Sequence, residues 1–146
     1  MENPRYANSF KDLIVYKKSL GVANKIFKLT TRFPRDEIYS LTDQMRRAVR
    51  SIGAQISEAW AKRKYEKSFI NKLVDADGEQ METQHWLEIA FSCGYLSSEE
   101  KELLLADLLE IGRMLNPMMQ KSELFCGSRP HLLHDTLSEY MIETED

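Results

Sequence analysis

From Phe10 to Phe27, apolar residues recur three or four positions apart at Phe10, Leu13, Tyr16, Leu20, Ala23 and Phe27. That period matches an α-helical turn and predicts a first helix over residues 10–30, with these six on its buried side. Ser9 with Asp12 resembles a capping arrangement, although Glu or Gln suits the second position better. Phe33 and Pro34 end the element. Pro34 suits a helix start, and Asp36 and Glu37 favour the positive end of a helix dipole, so a second helix is predicted over 36–62. Its stripe is Leu41, Met45, Ala48, Ile52, Ile56 and Ala59. Gly53 costs that helix about 1 kcal/mol of propensity, but with Ala54 it leaves room for a neighbouring helix.

A third helix is predicted over 66–93, with Phe69, Leu73, Ala76, Thr83, Leu87 and Ala90 inward and Trp86 and Phe91 broadening that side. Gly94 suits the residue just past its end. Ser97 and Glu100 then form a capping box for a fourth helix, whose buried side is Leu103, Leu104, Leu108, Ile111, Met114 and Leu115. Pro117 is expected to kink or shorten it. Beyond Gln120 the pattern loses regularity; residues 131–142 suggest a short helix using Leu133, Leu137 and Tyr140 or Met141, with 143–146 frayed. The fold class is therefore all-α, an antiparallel up-down four-helix bundle with a short C-terminal extension. Its organisation is an arm at 1–9, the bundle at 10–120 and the extension at 121–146.

Composition narrows this picture. A chain of 146 residues suits one domain, and six Gly with four Pro are too few for a turn-rich β fold. No run approaches the roughly 20 apolar residues that cross a bilayer, and Met1 to Tyr6 is polar, so a cytoplasmic location away from membranes is expected. Cys93 and Cys126 have no metal or redox spacing; reduced thiols are expected, Cys93 as a small buried residue, with one disulfide left open. The net charge of −3 hides a division: residues 1–72 carry sixteen Lys or Arg against seven Asp or Glu, and residues 73–146 carry four against sixteen.

Candidate chemistry lies in surface clusters. Arg46, Arg47 and Arg50 offer directed donors to phosphates or an acidic partner; in the plainer reading they pair with Asp43, Glu58 or acids of the third and fourth helices. Lys62, Arg63, Lys64, Lys67 and Lys72 surround the next turn, either as a salt-sensitive phosphate surface or as solubilising charge, with Tyr65 beside them. Trp60, Trp86, Phe91 and Tyr95 read as core or subunit-interface aromatics rather than a cofactor box. Glu82 and His85 have the Glu-x-x-His spacing of a bundle metal ligand pair. A dimetal site needs a second such motif, and neither His131 nor His134 supplies one, so no metal or cofactor is expected. Cys93 and His85, eight residues apart, lie about 12 Å apart along a helix, too far for a nucleophile and its base.

Phe10 through Tyr16 (Phe-Lys-Asp-Leu-Ile-Val-Tyr), Phe33-Pro34, Tyr39 through Ala48, Ser51-Ile52, Ile56-Ser57-Glu58, and the series Ala76, Gly78, Glu82-Thr83, Leu87, Ala90, Gly94-Tyr95 occur here as ordered blocks. Over about residues 10–118 they resemble the four-helix-bundle proteins encoded by intervening sequences of bacterial 23S ribosomal RNA genes, a family related to accessory proteins of diversity-generating retroelements. Many relatives carry Ser-Ile-x-x-Asn-Ile-Ala-Glu-Gly where this chain has Gln55, Ser57 and Ala59 in place of the Asn, the Ala and the closing Gly. The resemblance implies a homopentamer and, from the accessory proteins, reverse transcriptase and structured RNA as partners. The expected function is a non-enzymatic homo-oligomeric scaffold or adaptor. The alternatives are an RNA-binding or reverse-transcriptase-binding accessory protein, or a bundle metalloprotein.

Overall fold

The structure, a computed structural model, describes residues 7–126. The helix expected at 131–142, with His131 and His134, lies outside the described residues. Four helices carry the fold: α1 (Ile14–Thr30), α2 (Leu41–Ala61), α3 (Glu66–Ser92) and α4 (Ser98–Gln120). Their contacts run α1–α2, α2–α3, α3–α4 and α1–α4, which closes a ring with α1 and α3 at opposite corners.

Pairings across each seam fix the directions. Gly53 faces Ser19 while Arg46 faces Phe27. Lys72 pairs with Glu58 at 2.8 Å, Lys101 with Glu88 at 3.0 Å, Lys25 with Asp107 at 2.8 Å, and Arg32 with Glu100. With Arg47 acting on Glu79 across α2–α3 and Gly112 against Gln80 across α3–α4, one partner's number falls as the other's rises along every seam, so neighbouring helices are antiparallel, as the short turns predict.

The core follows the expected stripes on α2 and α3. Met45, Ile52, Ile56, Leu73, Leu87, Leu108, Ile111 and Leu115 are fully buried, each worth about 1.5–3 kcal/mol over exposure. Two seams depend on small residues. A Cβ at Gly53 would sit 3.1 Å from Ser19 Oγ, and one at Gly112 would sit 3.0 Å from Gln80 Nε2. Gly94 takes φ +79° just past α3, the left-handed conformation that ends helices, and Ser97 with Glu100 forms the capping box of α4.

Several expectations are corrected. Ser9 and Asp12 do form a capping box, but it closes a single 3-10 turn at Phe10–Asp12; Leu13 is extended, with ψ 130°, and is carried into the core, so α1 begins at Ile14. Likewise Arg35–Glu37 is one 3-10 turn, held by Ser40 Oγ donating to Glu37 Oε1 at 3.0 Å, and α2 begins only at Leu41. The buried side of α1 is Val15, Ser19, Val22, Ile26 and Leu29 rather than the predicted stripe; Leu20 is 50% exposed and Phe27 44%. Leu103 is 71% exposed, and Leu104 takes the inward place. Cys93 is exposed because it caps α3 where Gly94 turns the chain outward. Pro117 sits in the last turn of α4, which continues to Gln120.

Past α4 the chain packs back against α3. A 3-10 turn at Ser122–Leu124 buries Phe125, whose ring stacks on Phe69 with centroids 5.8 Å apart, and Ser122 Oγ donates to Glu66 Oε1 at 2.6 Å.

Candidate interaction surfaces

The three arginines of α2 do not act as one cluster, because successive residues on a helix point about 100° apart. Arg46 and Arg50 turn toward α1, their guanidinium carbons 4.7 and 5.7 Å from the Phe27 ring centroid. Arg46 Nε also donates to Thr30 Oγ1 at 2.8 Å, while the Thr30 hydroxyl donates to the Ile26 carbonyl. Arg47 turns toward α3 and Glu79. Burial, then the charge of neighbouring Glu82, raises the Glu79 pKa, and Arg47 partly offsets this. None of the three arginines makes a salt bridge with Asp43 or Glu58 among the described residues.

Beside Arg50, the apolar stripe predicted to be buried instead lines a groove of about 210 Å³ between α1 and α2, bounded by Tyr16, Leu20, Ala23, Gly53 and Ala54. That one apolar strip of α1 faces outward was readable in the sequence. Val15, Val22, Ile26 and Leu29 form a second stripe on α1, and two stripes on one helix leave one uncovered. A wider groove of about 500 Å³ runs along the α1–α4 seam past Leu29, Leu103 and Leu104, between the paired charges of Lys25, Arg32, Glu100 and Asp107.

The lysine cluster is looser. Lys62, Lys64 and Lys67 stand exposed around the α2–α3 turn with Tyr65. Arg63 is held instead: its guanidinium lies 3.6 Å from the Trp60 ring centroid and its Nε donates to the Trp60 carbonyl at 2.8 Å, with partial burial lowering its pKa. Lys72 is tied to Glu58, and that hydrogen bond is the chief reason its pKa is raised.

The four aromatics are not gathered in one patch. Trp60 ends α2 beside the start of α3, whereas Trp86, Phe91 and Tyr95 lie at the far end of α3, about 30 Å away along its axis. Trp86 is half-buried against His85, with its indole N–H unpaired; Phe91 is exposed beneath Lys101; Tyr95 packs on Phe33. Glu82 and His85 are both exposed, and among the described residues no three His, Cys, Asp or Glu side chains gather to hold a metal ion. No helix among those residues is long and apolar enough to cross a membrane.

The family model described as 23S rRNA-intervening sequence protein matches residues 11–117. A crystal structure of a protein of unknown function from the S23 ribosomal protein family of Bacteroides thetaiotaomicron is 32% identical. It covers 73% of this chain and 99% of its own, with a TM-score of 0.65. No curated protein matches the chain.

Proposed function

The chain belongs to the 23S rRNA-intervening sequence protein family, and from that membership we propose that it is a non-enzymatic homo-oligomeric scaffold or adaptor working in the cytoplasm. One observation carries the reading: Leu20 and Phe27 form an uncovered apolar strip on α1, edged by Arg46 and Arg50. Apolar side chains ringed by charge on a folded surface are what a partner protein covers. The assembly we favour is a homopentamer. Native mass across micromolar concentrations tests it, and a mass of one chain throughout would end the scaffold reading.

A second reading is favoured by the exposed Lys62, Lys64 and Lys67 around Tyr65. In it the protein is an accessory factor for structured RNA or a reverse transcriptase, like the retroelement accessory proteins. Cations around an exposed ring suit phosphates and an unstacked base. Binding of a structured RNA should then weaken steeply with salt. It should weaken further when Lys62, Lys64 and Lys67 are neutralised together, or Arg46, Arg47 and Arg50 together. RNA binding that ignores both triple variants would remove this reading.

A further inference from the structure

Exposed apolar residues also mark the outer ridge of α3. Val74 is 52% exposed and Met81 57%. Seven residues apart, they lie on the same side of the helix, with Gly78 between them. This ridge is the diagonal opposite of α1 in the ring of helices.

The charges on the two corners are opposite. Within its bounds α1 carries four lysines and no acid. From Leu73 to its end at Ser92, α3 carries five acids, Asp75, Asp77, Glu79, Glu82 and Glu88, and no Lys or Arg. The seams between the corners are partly neutralised within the chain, by Lys18 and Lys25 on Asp107 and by Arg32 on Glu100. By contrast, no carboxylate of the described residues lies within 4.0 Å of Arg50, which lines the α1–α2 groove, or of Arg46, one turn away beside Phe27. A groove edged by guanidinium charge that no carboxylate of the described residues neutralises, with apolar walls, thus has its complement, an acidic ridge with an apolar crest, on the far side of the same molecule.

We propose that copies of this chain associate head to tail, the α3 ridge of one copy seated in the α1–α2 groove of the next. This rests on the oligomeric reading above and adds which two surfaces meet. Val74, Gly78 and Met81 lie along Leu20, Ala23, Gly53 and Ala54, while Asp75 and Glu82 face Arg46 and Arg50. Because the two surfaces differ, the contact is heterologous and repeats from copy to copy. Such a contact closes into a ring where the rotation from copy to copy divides a full turn, and otherwise runs on as a filament.

Mixing of half-broken variants tests this. Leu20→Glu spoils the groove and Met81→Arg the ridge, both at exposed positions whose folding is checked by circular dichroism and thermal melting. Each variant alone should fall to the 17.0 kDa of one chain. An equimolar mixture should form a one-to-one dimer and stop there, since one intact groove and one intact ridge remain. Leu103→Glu, in the α1–α4 groove, should keep the wild-type mass. A wild-type protein that is itself monomeric overturns the scaffold reading and this one together. If the wild type is oligomeric, three results overturn the head-to-tail contact alone: wild-type mass in Met81→Arg, a mixture that stays monomeric, or loss of mass in Leu103→Glu.

Discussion

Arg46 lies over Phe27 across the α1–α2 seam, its guanidinium carbon 4.7 Å from the ring centroid, while its Nε donates to Thr30 on the same helix as that ring. A long flexible cation is therefore fixed by two contacts in one turn of α1. Arg50, a turn further along α2, has the ring at 5.7 Å. The two should separate on mutation. Arg46→Ala loses a cation–π contact of about 0.5–1 kcal/mol and a hydrogen bond of about 1 kcal/mol. Its urea midpoint should drop by an equivalent of about 1–2 kcal/mol, whereas Arg50→Ala should stay within about 0.5 kcal/mol of wild type. Equal losses would mean that the Thr30 bond contributes nothing.

The seam also shows where the sequence was legible. Leu41, Met45, Ala48, Ile52, Ile56 and Ala59 stand among charged and polar neighbours, so one inward face was readable and is buried throughout. On α1, Tyr16, Leu20, Ala23 and Phe27 run beside Val15, Ser19, Val22, Ile26 and Leu29, rotated by about 100°. Both stripes have helical spacing, and periodicity does not say which meets the core. Leu103 and Leu104 pose the same choice in one dipeptide. The arginines misled differently, since adjacency in sequence hid that Arg46 and Arg47 serve different seams. Helix starts slipped where backbone outweighed pattern: Leu13 leaves helical geometry to turn the chain with nothing in its side chain to announce it, whereas Ser40 is a residue type suited to a helix N-cap and its hydroxyl holds the preceding turn.

Phe125 shows a contact that no periodicity could predict. It lies beyond the 11–117 span of the family match, in a segment with too few residues for a repeating stripe, yet it is buried on Phe69. Removing a buried aromatic ring costs about 3–5 kcal/mol. Phe125→Ala should lower stability by that order in urea or thermal unfolding, and Phe125→Leu by clearly less. An effect below about 0.5 kcal/mol would show that this packing is not formed in solution.

The two thiols should react at very different rates. Cys93 is exposed, whereas burial, with Glu66 next and against the pull of Arg63, pushes the Cys126 thiol up to about 11. At pH 8 such a thiol is only about one part in a thousand thiolate, the reactive form. A maleimide or disulfide reagent should titrate one thiol quickly and the second slowly, and Cys93→Ser should abolish the fast phase. Two fast phases in native protein would contradict the partial burial of Cys126.

Glu100 gives the fold a pH dependence with a defined sign. Its carboxylate accepts the Ser97 backbone N–H at 2.9 Å, and this bond, followed by the Arg32 guanidinium, holds its pKa below the usual carboxylate value. A carboxyl whose pKa is lower folded than unfolded stabilises the fold above its unfolded value, and the contribution is lost as pH falls through the folded one. Wild type should therefore be more stable than Glu100→Gln at pH 7. The gap in urea midpoint should hold down to the ordinary carboxylate range and close only below it. Ser97→Ala removes the other half of the box, where Ser97 Oγ accepts the Glu100 N–H at 3.1 Å, and should cost about 1 kcal/mol. Its effect should persist at acid pH, because a hydroxyl does not titrate there. A gap between wild type and Glu100→Gln that widens on acidification would reverse the sign and rule out this carboxylate as the source.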